Sequence, residues 1–241
     1  MSPMITFKRP DERECPGFYL EPASGASSPG VVVIQEWWGL NDQIKGVASR
    51  LALEGYRVLV PDLYRGQLGL DSKEAEHLMN SLDFGDAATQ DIRGAVLHLK
   101  SSSAKVGVTG FCMGGALTIL SASNISEIDA AVCWYGIPPL EYVDATKINA
   151  PLMGHFAIDD AFFPIQKVDA LEETLRKAGV QHEFHRYNAQ HAFANETAIN
   201  LPIPVSYNAE AAEAAWQRTM TFHDRHLKSE RTGIRSAAAD R

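Results

Sequence analysis

The chain has 241 residues, of which 45% are hydrophobic and 22% are charged, and this composition predicts one globular domain with a sizeable core. Its formal net charge is -8 at pH 7 and no long basic run occurs, which argues against a nucleic-acid partner. The three cysteines are an odd number without close pairs, so neither a disulfide framework nor a Cys-x-x-Cys metal site is predicted, and we expect a reducing compartment.

The two ends of the chain predict a cytoplasmic protein with no membrane partner. The first residues lack the charged start and the apolar stretch of a signal peptide, and no later segment is apolar over the length that a bilayer needs. Residues 228–241 are polar and rich in alanine, which predicts a disordered tail after a single domain at 1–227. A monomer and a small homo-oligomer both remain open.

Short apolar runs alternate with stretches of helical periodicity along the chain. Strands are predicted at 31–34, 57–60, 106–108, 130–134, 152–156 and 182–187. Helices are predicted at 42–53, 72–82, 86–100, 165–178 and 209–226, and a further one includes the run at 116–120. This order predicts the α/β class, with a mostly parallel central sheet and helices on both faces. Ligands of such sheets bind at the carboxyl ends of the strands.

The segment Gly110-Phe111-Cys112-Met113-Gly114 joins a predicted strand directly to a predicted helix. Such a turn holds its middle residue in a strained conformation, and glycine two places to either side removes side chains that would collide. The sulfur of Cys112 would then lie at the amino end of a helix, where the helix dipole favours a thiolate. The pattern predicts a nucleophile, although taken alone it fits a small buried apolar residue equally well.

A cysteine nucleophile needs a base and a carboxylate that orients the base. His191 follows the predicted strand at 182–187, and Asp159 and Asp160 follow the one at 152–156, so both loops lie at the same edge of the sheet as Cys112. The chain order of nucleophile, acid and histidine is the order found in α/β-hydrolases. The sequence therefore predicts a catalytic triad, with either aspartate as its acid.

The loop after the first buried strand, Gln35 to Gly39, contains two features of interest. In hydrolases of this architecture the oxyanion is held by two backbone N–H groups, which here would belong to Trp37 and Met113. Glu36 ends a buried strand near a thiol, where a carboxylate must be paired, hydrogen-bonded or protonated. We expect Glu36 to regulate Cys112, and a solvent-facing glutamate beside two packing tryptophans is the alternative.

The other histidines do not predict a metal site, and no cofactor is expected. His182 and His185 point to opposite faces of a strand and cannot share an ion. His155 is expected in the core, and His77 and His98 are expected to be structural residues of helices. His223 and His226 lie near the end of the last helix, where a positive charge interacts favourably with the helix dipole.

Six segments of the chain carry motifs that occur together in one enzyme family. They are Gln35-Glu36 with a bulky pair and Gly39, Pro61-Asp62-Leu63-Tyr64, Gly110-Phe111-Cys112-Met113-Gly114-Gly115, Tyr135-Gly136, Asp160-Ala161-Phe162-Phe163-Pro164 and His191-Ala192-Phe193-Ala194. With these motifs the chain resembles the dienelactone hydrolases, the carboxymethylenebutenolidase group of the α/β-hydrolases. The resemblance extends from the strand at 31–34 through the last helix.

The resemblance implies a Cys112-His191-Asp160 triad, because the family's acid stands four places before the proline of its loop. It also implies that the resting thiol is neutral and hydrogen-bonded to Glu36. The family's two substrate-binding arginines are missing: none occurs between Arg65 and Arg93, and the second position is Asn195. A less cationic, more apolar pocket is therefore expected, with contributions from Trp37, Trp38, Tyr135, Phe162 and Phe193, although each of these aromatic residues could equally pack in the core.

The sequence as a whole predicts hydrolysis of a carboxylic ester or lactone through a thioester on Cys112, with a small-molecule substrate. A thioesterase or acyltransferase that uses the same triad is the nearest alternative. A binding module that keeps the pocket without turnover is a further alternative, since fold does not determine function.

Overall fold

The computed structural model describes residues 3–23, 25 and 28–228, and the tail predicted for 228–241 therefore lies outside the described residues except for its first position. Eight strands form one sheet: β1 (Met4–Lys8), β2 (Glu14–Leu20), β3 (Gly30–Ile34), β4 (Arg57–Pro61), β5 (Val106–Phe111), β6 (Ala130–Trp134), β7 (Leu152–Ala157) and β8 (His182–Tyr187). Their order in the sheet is β1-β2-β4-β3-β5-β6-β7-β8. Strands β3 to β8 run parallel, and β1 and β2 form an antiparallel edge.

Helices cover both faces of this sheet. They are α1 (Asp42–Leu53), α2 (Ser72–Ser81), α3 (Phe84–Asp86), α4 (Arg93–Lys100), α5 (Met113–Asn124), α6 (Ile165–Ala178) and α7 (Ala209–Leu227), and a π-helical segment, Ala87–Ile92, joins α3 to α4. Apolar residues of α4, α5 and α6 pack in one core cluster, and those of α1 and α7 pack in a second. The mostly parallel sheet with helices on both faces confirms the predicted fold class.

Local sequence explains where several helices begin and end. The side chain of Asn41 accepts a hydrogen bond from the Ile44 N–H at 3.1 Å, and Asn208 does the same for Ala211 at 3.0 Å. Each thereby satisfies an N–H group that the first helical turn leaves unpaired. Helix α6 ends at Ala178, and the capping residue that follows is Gly179, whose φ of 75° favours glycine. The helices predicted at 42–53 and 165–178 have these bounds in the structure.

The hairpin of β1 and β2 is an element that the sequence analysis did not predict. Its strands are partly exposed at the sheet edge, and β2 contains Pro16 and Gly17, which weaken a strand pattern. The hairpin is held to the rest of the molecule by Arg9, which is 5% exposed and whose Nη1 lies 3.0 Å from Asp91 Oδ1. Arg65 binds the same oxygen at 2.7 Å. Arg9 and Asp91 are far apart in sequence, so no local pattern indicates that they pair.

His223 contradicts the expectation of a favourable cation near the end of α7. Its side chain is fully buried, and neither ring nitrogen has a hydrogen-bond partner within the described residues. Burial lowers the pKa of His223 to about 3, so the ring is neutral at pH 7. Desolvation outweighs the helix dipole here because the ring lies inside the protein, against Tyr56, and not at the surface.

We predict that His223 makes the protein less stable in mild acid. Its folded pKa lies below the unfolded value of about 6.5, so the unfolded chain gains a proton that the folded chain does not, and the free energy of unfolding falls as pH falls from 6.5 towards 3. Between pH 7 and pH 5 this amounts to roughly 2 kcal/mol. Urea unfolding at both pH values measures the change in the free energy of unfolding. For His223→Leu the fall from pH 7 to pH 5 should be smaller than in the wild type by this amount, whereas His77→Leu, at an exposed site, should show the wild-type fall.

Candidate active site

The turn between β5 and α5 holds Cys112 in a conformation that residues with a side chain rarely adopt. Its φ is 54° and its ψ is -118°, and α5 begins at the next residue. The Cys112 N–H donates to the Trp134 carbonyl at 2.9 Å, and its own carbonyl accepts from the N–H groups of Gly115 and Ala116. The sulfur is partly exposed at the amino end of α5. The structure thus places Cys112 as the sequence pattern predicts, at the carboxyl edge of the sheet.

Glycines allow the backbone to close around this turn. A Cβ atom on Gly114 would lie 2.4 Å from the carbonyl oxygen of Ile34, and one on Gly110 would lie 2.1 Å from that of Gly114. A Cβ on Gly136 would lie 1.9 Å from the carbonyl oxygen of Cys112 itself. Gly136 was given no structural role in the sequence analysis, because its contact with the turn depends on the pairing of β5 with β6.

His191 and Asp160 form a hydrogen-bonded pair beside this turn. His191 Nδ1 lies 2.8 Å from Asp160 Oδ2, and both side chains are buried. The other carboxylate oxygen of Asp160 accepts the backbone N–H groups of Phe162 and Phe163 at 2.8 and 2.9 Å, which fixes the orientation of the carboxylate. Asp159 is exposed, so the geometry selects Asp160 as the partner of the ring.

The electrostatics of the site join Cys112 to this pair. Burial opposes a charge on the His191 ring, but the Cys112 sulfur and the Asp160 carboxylate outweigh burial and raise the pKa of His191 to about 10. Because Asp160 occupies Nδ1, the second ring nitrogen is left for the hydrogen bond with Cys112. The arrangement keeps the His191 ring positively charged at neutral pH, next to the Cys112 sulfur.

Glu36 is buried in the same site, but its partners differ from those that the family resemblance implies. Oε1 accepts the Tyr135 hydroxyl at 3.1 Å and Oε2 accepts the Asn195 amide at 2.6 Å, and within the described residues Glu36 makes no hydrogen bond to the Cys112 thiol. The implied resting bond between thiol and carboxylate is therefore absent. Burial raises the pKa of Glu36, while the charge of His191 and the two hydrogen bonds lower it.

Asn195, at the position of the family's second arginine, holds Glu36 in this orientation. Its amide nitrogen donates to Glu36, and its carbonyl oxygen accepts the N–H and the hydroxyl of Thr197 at 2.9 and 2.7 Å. The Thr197 contacts determine which way the amide faces. Donors from two loops thus hold both oxygens of Glu36, and within the described residues no hydrogen bond joins the carboxylate to the sulfur.

Two of the residues that were predicted to contact substrate lie in the core and do not line the cavity next to Cys112. Tyr135 and Phe193 are fully buried, and their rings pack edge to face with centroids 5.2 Å apart. Tyr135 has a φ of 38°, and burial raises its pKa well above the ordinary range, so the hydroxyl stays protonated and donates to Glu36. Both residues belong to motifs of the family that the chain resembles, but a motif does not distinguish a cavity wall from the layer behind it.

The backbone N–H groups of Trp37 and Met113 lie in the two loops that the sequence analysis selected for an oxyanion. Within the described residues, neither N–H group donates a hydrogen bond. Met113 is the first residue of α5, where a helix leaves its N–H groups unpaired. These two donors are therefore available to a negatively charged oxygen formed next to Cys112.

A cavity of about 300 Å³ opens onto Cys112 and His191. Trp38, Phe162 and Asn195, which were predicted to bind substrate, lie in its wall. The remaining wall residues are Glu36, Trp37, Glu76, Met79, Phe84, Met113, Phe163, Ala192, Ala198, Leu201, Ile203 and Val205. Sequence reasoning missed Glu76, Met79 and Phe84, because only the folding of α2 and α3 over the sheet edge brings them there.

The parallel sheet, the strained turn and the paired histidine and aspartate define the chain as an α/β-hydrolase. The family model for the dienelactone hydrolase family matches residues 16–227, nearly the whole described chain. The protein therefore belongs to the dienelactone hydrolase family and is a hydrolase of carboxylic esters or lactones.

Relatives and solved structures agree with this membership. "Protein usf" of Aquifex pyrophilus is 33% identical, with 94% of this chain and all of that protein covered. An Escherichia coli protein named "Putative carboxymethylenebutenolidase" is 32% identical over 86% of this chain and 81% of its own length. The crystal structure of a "Putative Dienelactone Hydrolase" from Klebsiella pneumoniae is 26% identical, with a TM-score of 0.78 and coverage of 91% and 97%. Among the helices that the structure describes, none has the length and apolar character needed to cross a bilayer.

We predict that Gly114→Ala destabilises the protein by about 3 kcal/mol or more, because the added carbon would meet two carbonyl oxygens, of Ile34 and Gln35, that cannot move independently of β3. The control is Gly46→Ala on the exposed surface of α1, where no atom lies within 4 Å and alanine should add about 0.5 to 1 kcal/mol. Urea unfolding measures both variants. Equal stability of the two would contradict the close packing described for the turn.

Proposed function

We propose that the protein hydrolyses its ester or lactone substrates with a Cys112-His191-Asp160 triad through a thioester intermediate. One observation supports this most strongly: the strained turn exposes the Cys112 sulfur next to a histidine whose other nitrogen is bound to a buried carboxylate at 2.8 Å. A nucleophile, a base and an orienting group in this relation are what acyl transfer requires.

In the first half of the proposed reaction, the Cys112 sulfur attacks the acyl carbon and a carbon–sulfur bond forms. The carbonyl electron pair moves to oxygen, which the N–H groups of Trp37 and Met113 stabilise. When that pair returns, the bond from the acyl carbon to the alkoxy oxygen breaks. The imidazolium of His191 gives its proton to the leaving oxygen, and a thioester with a neutral histidine remains.

In the second half, water resolves the thioester. His191 takes a proton from the water as the hydroxide oxygen bonds to the acyl carbon, and the carbon–sulfur bond then breaks. The products are the carboxylic acid and the original thiolate and imidazolium pair. Asp160 keeps Nδ1 protonated throughout, so the second nitrogen of the ring exchanges the proton in both halves.

Glu36 is proposed to act on the charge of His191 rather than by a bond to the thiol. The His191 charge is one of the groups that lower the pKa of Glu36, and the same attraction stabilises the imidazolium in return. Tyr135 and Asn195 hold the carboxylate in position for this effect. In this role Glu36 favours the paired ions over the neutral thiol and imidazole.

The cavity favours neutral substrates over anionic ones. No lysine or arginine lies among its described wall residues, and most of the wall is apolar. A carboxylate on the substrate would therefore lose the charged partners that a pair of arginines supplies. A thioesterase or acyltransferase reaction would use the same atoms, and a binding module would use the cavity without turnover.

We expect Cys112→Ala to lower kcat/KM for p-nitrophenyl acetate by about a thousandfold or more, because no other group can form the acyl intermediate. Asp160→Asn should lower it by roughly a hundredfold or more, since the ring would lose its orienting charge. The control is Asp159→Asn, one position away and exposed, which should leave kcat/KM unchanged.

Absence of Cys112-dependent turnover with any short ester or lactone would favour the binding module. A much higher kcat/KM for acyl thioesters than for oxygen esters of the same acyl group would favour the thioesterase. Product esters formed when an alcohol is added would indicate acyl transfer.

We predict that Glu36→Gln changes the pH dependence of the alkylation of Cys112, because the His191 ring beside the sulfur loses a buried carboxylate that interacts with its charge. The measurement is the rate of reaction with neutral iodoacetamide between pH 5 and 9. Cys15 and Cys133 are buried, so the reaction reports on Cys112. Glu74→Gln, at an exposed position of α2, is the control, and an unchanged profile for Glu36→Gln would refute the proposed role.

A further inference from the structure

The cavity next to Cys112 has a distinctive charge pattern. Two of its described wall residues are carboxylic acids, Glu36 and Glu76, and none is lysine or arginine. Among the described wall residues, the only ionisable nitrogen belongs to His191, which is already paired with Asp160 and Cys112. Of the two acids, Glu36 has the charge of His191 near it, whereas Glu76 faces no lysine or arginine among the described wall residues.

The two carboxylates differ in what they can offer to a ligand. Glu36 is 3% exposed and both of its oxygens are occupied by Tyr135 and Asn195. Glu76 is exposed, and within the described residues its carboxylate makes no hydrogen bond or ion pair. Glu76 is therefore the group in the wall whose charge is available to a molecule in the cavity.

The position of Glu76 is held by its helix. The Asp71 side chain accepts the N–H groups of Lys73 and Glu74 at 2.9 Å each, which fixes the first turn of α2. Leu78 and Met79 of the same helix pack against the core cluster. The helix thus presents Glu76 to the cavity from a fixed backbone, and only the side chain itself remains free to move.

The rest of the wall suits an organic cation. The rings of Trp37 and Trp38 lie edge to face with centroids 5.0 Å apart, and Phe84, Phe162 and Phe163 complete the aromatic lining. The faces of such rings attract a cation, most strongly for tryptophan. An alkylammonium group gains from aromatic walls and a carboxylate together, and a quaternary one leaves no hydrogen-bond donor unsatisfied in an apolar cavity.

We propose that the preferred substrates are esters that carry an organic cation, and that Glu76 is the residue that selects for the charge. This inference rests on the ester hydrolysis proposed above and adds the substrate class. Glu76 attracts the ammonium group at the cavity mouth, the aromatic walls contact its alkyl groups, and the ester carbonyl reaches Cys112. An anionic ester of the same shape is repelled by the same residue.

The test uses two esters of equal shape and different charge, acetylcholine and 3,3-dimethylbutyl acetate. Each is measured for binding, as protection of Cys112 from iodoacetamide, and for kcat/KM. We expect the cationic ester to protect at about a fivefold lower concentration and to show a similar advantage in kcat/KM. Glu76→Gln should reduce both ratios at least twofold.

The control variant is Glu74→Gln, which removes the same charge from α2 at a residue outside the cavity wall. Glu74→Gln should leave both ratios unchanged, because Glu74 lies outside the cavity wall. The two variants change the net charge of the protein by the same amount, so a difference between them reports on the position of the charge. Equal protection by the two esters, stronger protection by the neutral ester, or ratios that Glu76→Gln does not alter would overturn the inference. Each of these outcomes leaves the triad intact, since the triad is tested separately by p-nitrophenyl acetate and Cys112→Ala.

Discussion

The active centre depends on one steric constraint, the close approach of the first turn of α5 to the carboxyl ends of β3 and β6. Carbonyl oxygens of Ile34 and Gln35 lie where a side chain at Gly114 would be, and the Cys112 carbonyl lies where one at Gly136 would be. This contact keeps Cys112 at a positive φ and turns its sulfur towards the sheet edge. The oxyanion donors and the paired histidine have a fixed relation to the sulfur only because the turn cannot relax.

Three carboxylates near this turn have different environments and, in the proposed scheme, different tasks. Asp160 is held by two backbone N–H groups and binds the imidazole. Glu36 is buried between a hydroxyl and an amide, and within the described residues it makes no hydrogen bond to the sulfur. Glu76 is exposed at the cavity mouth and free of partners within the described residues. Burial and hydrogen bonding, rather than residue type, separate their roles.

Asn195 contributes more to the pocket than a neutral side chain. An arginine would bring a cation next to Glu36, whereas the amide of Asn195 is neutral, is oriented by Thr197 and ties the Glu36 carboxylate in place. The neutral charge at this position and the immobilisation of Glu36 are therefore both properties of Asn195. The described cavity wall contains no lysine or arginine, and its acidic residues are Glu36 and Glu76.

Local sequence was sufficient for much of the fold and for part of the site. Asn41 and Gly179 mark helix limits through capping and a positive φ, which are properties of a few neighbouring residues. The strand-to-helix turn at Cys112 is equally local, because spacing of small residues alone allows it. The hairpin of β1 and β2 could not be predicted in this way, since Arg9 and Asp91 stabilise it across 82 positions of the chain.

The sequence by itself determined the order of strands and helices, the position of Cys112 and the loops that contain His191 and Asp160. The family resemblance already implied Asp160 rather than Asp159, and the tertiary structure supplies the physical reason, because Asp160 is buried against the ring whereas Asp159 is exposed. Only the tertiary structure decided that Tyr135 and Phe193 belong to the core, that Glu36 binds Tyr135 and Asn195 and not the thiol, and that Glu76 enters the cavity. These facts depend on distances between segments far apart in the chain, which periodicity and motif spacing do not contain.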